Sequence, residues 1–258
     1  GLKDLKISNQ TPVIVHSSLS AFGEVQGGAE SLLGALVRCF NAIMMPTFTY
    51  KSMVIPSAGP ENNGLIYGSG RQTNLMAEFF SSNMPADRLM GITAEKLRTL
   101  PVARRSDHPI LSFAGIHMDA MLNKQTLYNP LAPIQELANQ QGWVLLIGVD
   151  HTVNTSLHLA ERLSGRKQFV RWALTPQGIT ECPNFPGCSD GFNVLAPYLG
   201  AITRQVTIGN ARIQALPLLS MLDITLEILR KTPGALLCDI PGCERCFAVR
   251  QSLAQPLA

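Results

Sequence analysis

The sequence predicts an α/β fold, a single domain over residues 1–258 with a mixed central sheet flanked by helices. Short apolar runs alternate along the chain with stretches of helical periodicity, the order expected when helices connect strands. The clearest run, Trp143 to Val149, is rich in β-branched and aliphatic residues, as a strand covered on both faces requires. It breaks into a polar loop, Asp150 to Asn154, and restarts as a helix that Asn154 or Thr155 can cap. Composition is the third observation. Of 258 residues 46% are hydrophobic and 15% charged, which supplies a large core and argues against disorder.

In chain order, Val13 to Val15 reads as a strand ending in the turn His16-Ser17-Ser18. Gly27-Gly28 opens a helix over Ala29 to Phe40, with Leu32, Leu33, Leu36 and Val37 on its buried side. Ala42 to Met45 is a second strand that runs into Pro46-Thr47-Phe48-Thr49-Tyr50. Residues 51–85 are rich in Gly, Asn, Ser and Pro, which suits a loop-rich insertion or lid. Gly91 to Leu100 is a short helix stopped by Pro101, Ser112 to Ile116 a strand, and Ile134 to Gln140 a helix. Phe169 to Leu174 is a strand, Gly191 to Tyr198 and Leu216 to Leu229 carry helical stretches, and Ala235 to Cys238 fits a last short strand.

Several function classes fall away. A net charge of +3 with no basic stripe interleaved with aromatics does not suit nucleic-acid binding. No apolar run approaches the roughly 20 residues that span a bilayer. The N-terminal segment lacks the apolar core of a signal peptide, so the expectation is a cytoplasmic protein, monomer or homodimer, acting on a small molecule. No G-x-G-x-x-G follows the first strand, and neither a P-loop lysine motif nor a G-x-S-x-G elbow occurs.

Chemistry concentrates after the strand at 143. Thr155, His158 and Glu161 are three residues apart, so they project from roughly one face of a helix. The carboxyl end of a strand is where open α/β sheets place their sites. Glu161 could orient the imidazole and leave its other nitrogen to accept a proton, or the pair could be a structural ion pair. His151 is a second imidazole nearby, and spacing alone does not choose between the two histidines.

Six cysteines are unusual for a reducing compartment. Cys39 stands alone as a small core residue. The others form a cysteine-rich part over about residues 180–250: Cys182 and Cys188, then Cys238, Cys243 and Cys246, with Pro and Gly between them. Two such groups could converge on one tetrahedral structural zinc, stay free, or pair as disulfides.

Four segments, in this order, resemble the aminoglycoside 3-N-acetyltransferase (antibiotic N-acetyltransferase) family. They are Val15-His-Ser-Ser-Leu-Ser20 followed by Gly27-Gly-Ala-Glu30; Met45-Pro-Thr-Phe-Thr49; Met90-Gly-Ile-Thr-Ala-Glu95 running to Arg105-Ser-Asp-His-Pro109; and Thr155-Ser-Leu-His-Leu-Ala-Glu161. The resemblance implies a fold distinct from the GNAT acetyltransferases and transfer of acetyl from acetyl-CoA to an amine, an antibiotic-resistance activity. It further implies that Ser17, Ser18 and Leu19, with the turn carrying Thr47 and Thr49, line the pantetheine channel, and that Arg105 and Ser106 hold the CoA phosphates. His158 would be the general base, Glu161 its orienting partner, and Thr155 the hydroxyl that meets the oxyanion or the departing thiolate. Cysteine capture of the acetyl group is the competing mechanism, but nothing near Cys39 would activate it.

Aminoglycosides are polycations, yet this chain has 21 basic and 18 acidic residues. Asp150, Glu181, Asp190 and Asp223 are the candidate acidic groups, and Asp150, His151 and Asp190 are assigned to the acceptor. The region after residue 170 departs from the better-known resistance enzymes. Two other readings therefore stand beside the first: an acyltransferase acting on another amine, and a zinc-stabilised binding protein on this fold.

Overall fold

The computed structural model describes residues 1–254. Ten strands and eight α-helices follow one another along these residues. The first part holds β1 (Val13–Ser17), α1 (Gly28–Cys39), β2 (Ile43–Pro46), β3 (Met53–Val54), α2 (Ile92–Arg98) and β4 (Arg104–Arg105). The middle holds β5 (Phe113–Ile116), α3 (Asp119–Leu122), α4 (Ala132–Asn139), β6 (Trp143–Ile147), α5 (Leu157–Leu163), β7 (Phe169–Thr175) and β8 (Gly178–Phe185). The last part holds α6 (Ala196–Leu199), β9 (Arg204–Ile208), β10 (Ala211–Pro217), α7 (Leu218–Lys231) and α8 (Glu244–Ala254).

Seven strands form one sheet in the order β4-β5-β2-β1-β6-β10-β9. Its centre is parallel, β2-β1-β6, and both margins are antiparallel, so the sheet is mixed as expected. Strand alternation divides the core between its faces. Val13, Val15, Leu145 and Ile147 pack with Leu32, Leu33 and Leu36 of α1 and Leu97 of α2. Ile14, Val144 and Leu146 pack on the opposite face with α4, α5 and α7 through Ile134, Leu137, Leu157, Leu159, Met221 and Leu222. Residues buried on both faces explain why these strands read as unbroken apolar runs.

A second, antiparallel sheet, β3-β7-β8, packs beside the first; its β3 comes from the insertion at 51–85, which is otherwise irregular apart from short 3₁₀ turns. Three expectations are corrected. Val37 is 43% exposed, and Ala29 takes its place on the buried face of α1. Ala235 to Cys238 is not a strand, because Leu236 adopts a left-handed φ of 68° that breaks an extended chain. Ser156, with no side-chain cap bond, takes the N-cap position of α5 in place of Asn154 or Thr155; Asn154 Oδ1 accepts from Ser156 N–H at 3.2 Å in the turn before the helix. Among the described residues no helix is long and apolar enough to cross a membrane.

Candidate active site

A cleft of about 890 Å³ opens at the carboxyl ends of β1, β2 and β6, bounded on its far side by the chain leaving β8. Ser17, Ser18 and Leu19 line it. Two left-handed glycines let neighbouring loops close on this turn. At Gly148 (φ 65°) a Cβ would sit 2.3 Å from Ala21 Cβ, and at Gly91 (φ 83°) 2.9 Å from the Ser17 carbonyl.

His158 and Thr155 reach the cleft from the start of α5, one turn apart. His158 Nδ1 lies 2.7 Å from Glu161 Oε2, and Arg166 Nη1 donates to Glu161 Oε1 at 2.7 Å. Arg166 Nη2 donates in turn to the carbonyls of Pro233 and Ala235, each at 2.5 Å. The carboxylate can only accept from the ring, so Nδ1 carries the proton and Nε2 is the acceptor. Phe192 packs edge-on against the imidazole, centroids 4.8 Å apart. Together the three side chains form a buried relay whose first member faces the cleft.

Several assignments are corrected by the same geometry. The chain after β2 is extended, so alternate side chains face opposite ways: Pro46, Phe48 and Tyr50 line the cleft, and Thr47 and Thr49 turn away from it. Thr47 N–H donates to Ser112 O and Thr49 N–H to Ile110 O, while Thr49 Oγ1 donates to Pro109 O at 2.7 Å. Neither threonine has its hydroxyl or amide turned to a ligand. Arg105 is also outside the cleft. Its guanidinium donates to the carbonyls of Ser82, Met84 and Thr47 and to Ser112 Oγ, and burial pushes its pKa down to about 10. Ser106 Oγ accepts from Phe113 N–H at 2.9 Å. Both residues tie the 106–113 loop to its neighbours, outside the cleft that His158 faces.

Of the three acceptor candidates only Asp190 borders the cleft. Asp150 turns to Thr152 and Asn193; burial alone would raise its carboxyl, but these donors hold it below the ordinary range. His151 is 2% exposed, its Nδ1 3.4 Å from Asn154 Nδ2. Glu181, on β8, is likewise absent from the cleft wall, as is Asp223 on α7. Cys182 is a core residue of β8 whose thiol faces Thr180 O at 3.8 Å, away from the other cysteines of its group. Cys188, Cys238, Cys243 and Cys246 do converge, with all four sulfurs within 4.8 Å of one another.

The sequence reading missed four side chains. Arg88 and Arg245 line the cleft; Arg88 sits in no motif, and Arg245 lies between Cys243 and Cys246. Arg166 returns to Glu161 because the left-handed Gly165 (φ 80°) ends α5 there; a helix-stopping glycine was the available signal. His16 lines the cleft from the last turn of β1, and its Nε2 has no hydrogen-bond partner among the described residues.

Burial pushes the pKa of His16 down to about 3 and that of His108 down to about 4. His108 Nδ1 accepts from the Ile110 and Leu111 amides at 3.1 and 3.0 Å, which requires the neutral ring. Unfolded histidine titrates near 6.5, so below that pH the unfolded chain binds protons that the folded chain excludes. Stability is therefore complete above about pH 6.5 and falls as the pH drops toward the folded values. Denaturant melts should lose about 2–4 kcal/mol between pH 7 and pH 5. A slope unchanged in a His16→Asn, His108→Asn double variant would remove these two groups as its source.

Residues 14–230 match the family described as aminoglycoside 3-N-acetyltransferase. The SPbeta prophage-derived aminoglycoside N(3')-acetyltransferase-like protein YokD of Bacillus subtilis (strain 168) is 34% identical over 173 residues, covering 62% of this chain and 61% of that protein. Aminoglycoside N(3)-acetyltransferase IX of Micromonospora chalcea is 30% identical over 184 residues, covering 66% and 63%. The chain thus spans little more than three-fifths of the length of the curated relatives it matches. Among solved structures, the AAC(3)-IVa apoenzyme superposes with a TM-score of 0.78 at 24% identity, covering 97% of this chain and 94% of that one. AAC-IIIb, solved as a binary complex with CoASH, gives 0.71 at 21% identity over 89% and 93%. At these identities the superpositions establish the fold.

Proposed function

This chain belongs to the aminoglycoside 3-N-acetyltransferase family, and we propose that it transfers acetyl from acetyl-CoA to an amine, with the 3-amino group of an aminoglycoside as the leading acceptor. The observation that carries the reading is the His158–Glu161–Arg166 relay, whose free imidazole nitrogen opens on a cleft of about 890 Å³. The structure of AAC-IIIb with CoASH supports the choice of donor.

A protonated amine has no lone pair with which to attack a thioester. The ammonium first loses one proton to solvent; His158 Nε2 then takes a second from the acceptor nitrogen as that nitrogen bonds the acetyl carbon, and Glu161 stabilises the resulting imidazolium. Collapse of the tetrahedral adduct breaks the C–S bond, and the CoA thiolate leaves with the proton from His158. Thr155, one turn from the base, donates to the oxyanion or the departing sulfur. Ser17 to Leu19 and the apolar Pro46 and Phe48 flank the pantetheine arm. The exposed Arg88 takes the phosphate end in place of Arg105. Use of acetyl-CoA as donor points to the cytoplasm as the place of action.

One observation favours a second acceptor class. Among the residues lining the cleft, Asp190 is the single carboxylate, against the guanidinium groups of Arg88 and Arg245. A polycation gains little from that balance. An amine of lower charge on the same chemistry is the second reading.

The deciding experiment measures thiol release from acetyl-CoA across aminoglycosides and simple amines. Turnover with an aminoglycoside bearing a free 3-amino group, lost when that amine is blocked, is expected. Turnover confined to monoamines would replace the acceptor, and no release with any amine would overturn the transferase reading. Arg88→Ala should raise the KM for acetyl-CoA about tenfold, the scale of one charge-assisted contact. Arg105→Ala should leave that KM unchanged and lower the Tm instead. The reverse pattern would restore Arg105 to the phosphates.

A further inference from the structure

Four cysteine sulfurs meet at a point the transfer reaction does not use. Cys188 follows β8, Cys238 follows α7, and Cys243 and Cys246 lie at the start of α8. Cys188 Sγ is 3.8 Å from Cys238 Sγ, which is 3.5 Å from Cys246 Sγ. Four thiolates around a tetrahedral zinc, with Zn–S bonds of about 2.3 Å, stand about 3.8 Å apart. A pair of disulfides would require S–S distances near 2.05 Å.

The surroundings suit bound thiolates. The turn into Cys243 is made by the left-handed Gly242 (φ 76°) and closed by Cys243 N–H donating to Ile240 O at 3.2 Å. The Cys238 amide donates to Cys246 Sγ at 3.4 Å, a contact that stabilises negative sulfur. Four thiolates on a divalent ion leave two negative charges. Arg245 lies between two of the cysteines in sequence, and Arg250 donates to the Cys238 carbonyl at 2.6 Å.

We propose that Cys188, Cys238, Cys243 and Cys246 bind one zinc ion that fastens together the acceptor side of the cleft. Zinc displaces four thiol protons, giving a tetrathiolate and four H⁺. Cys188 Sγ lies 3.1 Å from Oδ2 of Asp190, which lines the cleft, so the ion would fix the chain that carries this carboxylate. Arg245, beside Cys246, holds the same wall by donating to Gly187 O at 2.9 Å. Cys238 lies just beyond Ala235, whose carbonyl anchors Arg166 and through it Glu161. Binding of the ion stands apart from the transferase reading; its effect on the acceptor rests on that reading.

The test is metal analysis of the whole protein, purified with reductant and supplied zinc. About one zinc per chain is expected, kept in Cys182→Ser and lost in Cys243→Ser. Removing it from the wild type with a strong chelator should lower the Tm, with zinc appearing in a colorimetric release assay. This second route stands even where the serine variant fails to fold. Metal-free wild-type protein whose six cysteines all titrate as free thiols would overturn the site. So would recovery of these four as disulfides. If zinc binds, its removal should raise the acceptor KM several-fold while CoA affinity stays within twofold. Equal losses for both substrates, or none, would overturn the role at the acceptor wall while leaving the metal in place.

Discussion

Replacing His158 by alanine should slow acetyl transfer by about 100- to 10,000-fold, the contribution of a positioned general base. The effect should fall on kcat, because the side chain acts on the proton of the attacking amine and makes no contribution to holding CoA. His158 faces the cleft with Nε2 free, while Nδ1 is engaged by Glu161 2.7 Å away. His151→Ala is the control. That imidazole is buried outside the cleft, so its loss should alter stability and leave the chemical step intact. Steady-state thiol release with both variants separates the two histidines. Wild-type turnover in His158→Ala would remove it from the mechanism.

Arg166→Met should destabilise the protein by about 3–5 kcal/mol, the cost of leaving one member of a buried ion pair without its partner. Arg166 and Glu161 have side chains only 4% and 3% exposed, so water cannot replace the lost guanidinium. For a chain of this size each kcal/mol moves the Tm by about 2–4 °C, so a fall of about 6–20 °C is expected. Adding Glu161→Gln should recover much of that stability, because the stranded charge is then gone. The double variant would still turn over slowly, since His158 has lost the carboxylate that orients it. A loss below about 1 kcal/mol in the single variant would show that the pair is not what holds α5 to the chain after α7.

The elements legible in the sequence are those whose burial is uniform. β6 is apolar throughout, and α5 with the turn before it places three functional groups three residues apart, so both the strand and the direction of its chemistry are readable. β8 was not, since Cys182 and Pro183 interrupt an alternating, half-exposed strand. The hairpin of β9 and β10 was hidden for a similar reason: β9 sits at the sheet edge with polar residues on its exposed side. Within the site, local groups were found and distant ones were not. His158 and Glu161 share α5 and Thr155 lies in the turn that opens it, whereas Arg88, Arg166 and Arg245 reach the cleft or its relay by tertiary packing. The failures at Thr47, Thr49 and Arg105 have one cause. A motif identifies which residues travel together, but strand alternation and competing carbonyl acceptors decide which way each side chain points.

The central ladder pairs Val13 with Trp143 and Ser17 with Ile147, joining segments separated by half the chain. Such a contact carries a loop-closure cost that no local turn offsets, so a chain of this topology folds slowly. During synthesis β1 can find β2 early, but its other edge stays open until β6 emerges. Nascent chains shorter than that length expose an unpaired strand edge that begins with the apolar run Val13 to Val15, a state prone to misassociation. The turn that lines the cleft is fixed by the same late event, because Ser18 N–H donates to the carbonyl of Ile147 at 2.9 Å. Binding competence should therefore appear in one step with the sheet's closure, and any ligand seated against that turn would hold the two halves of the ladder together.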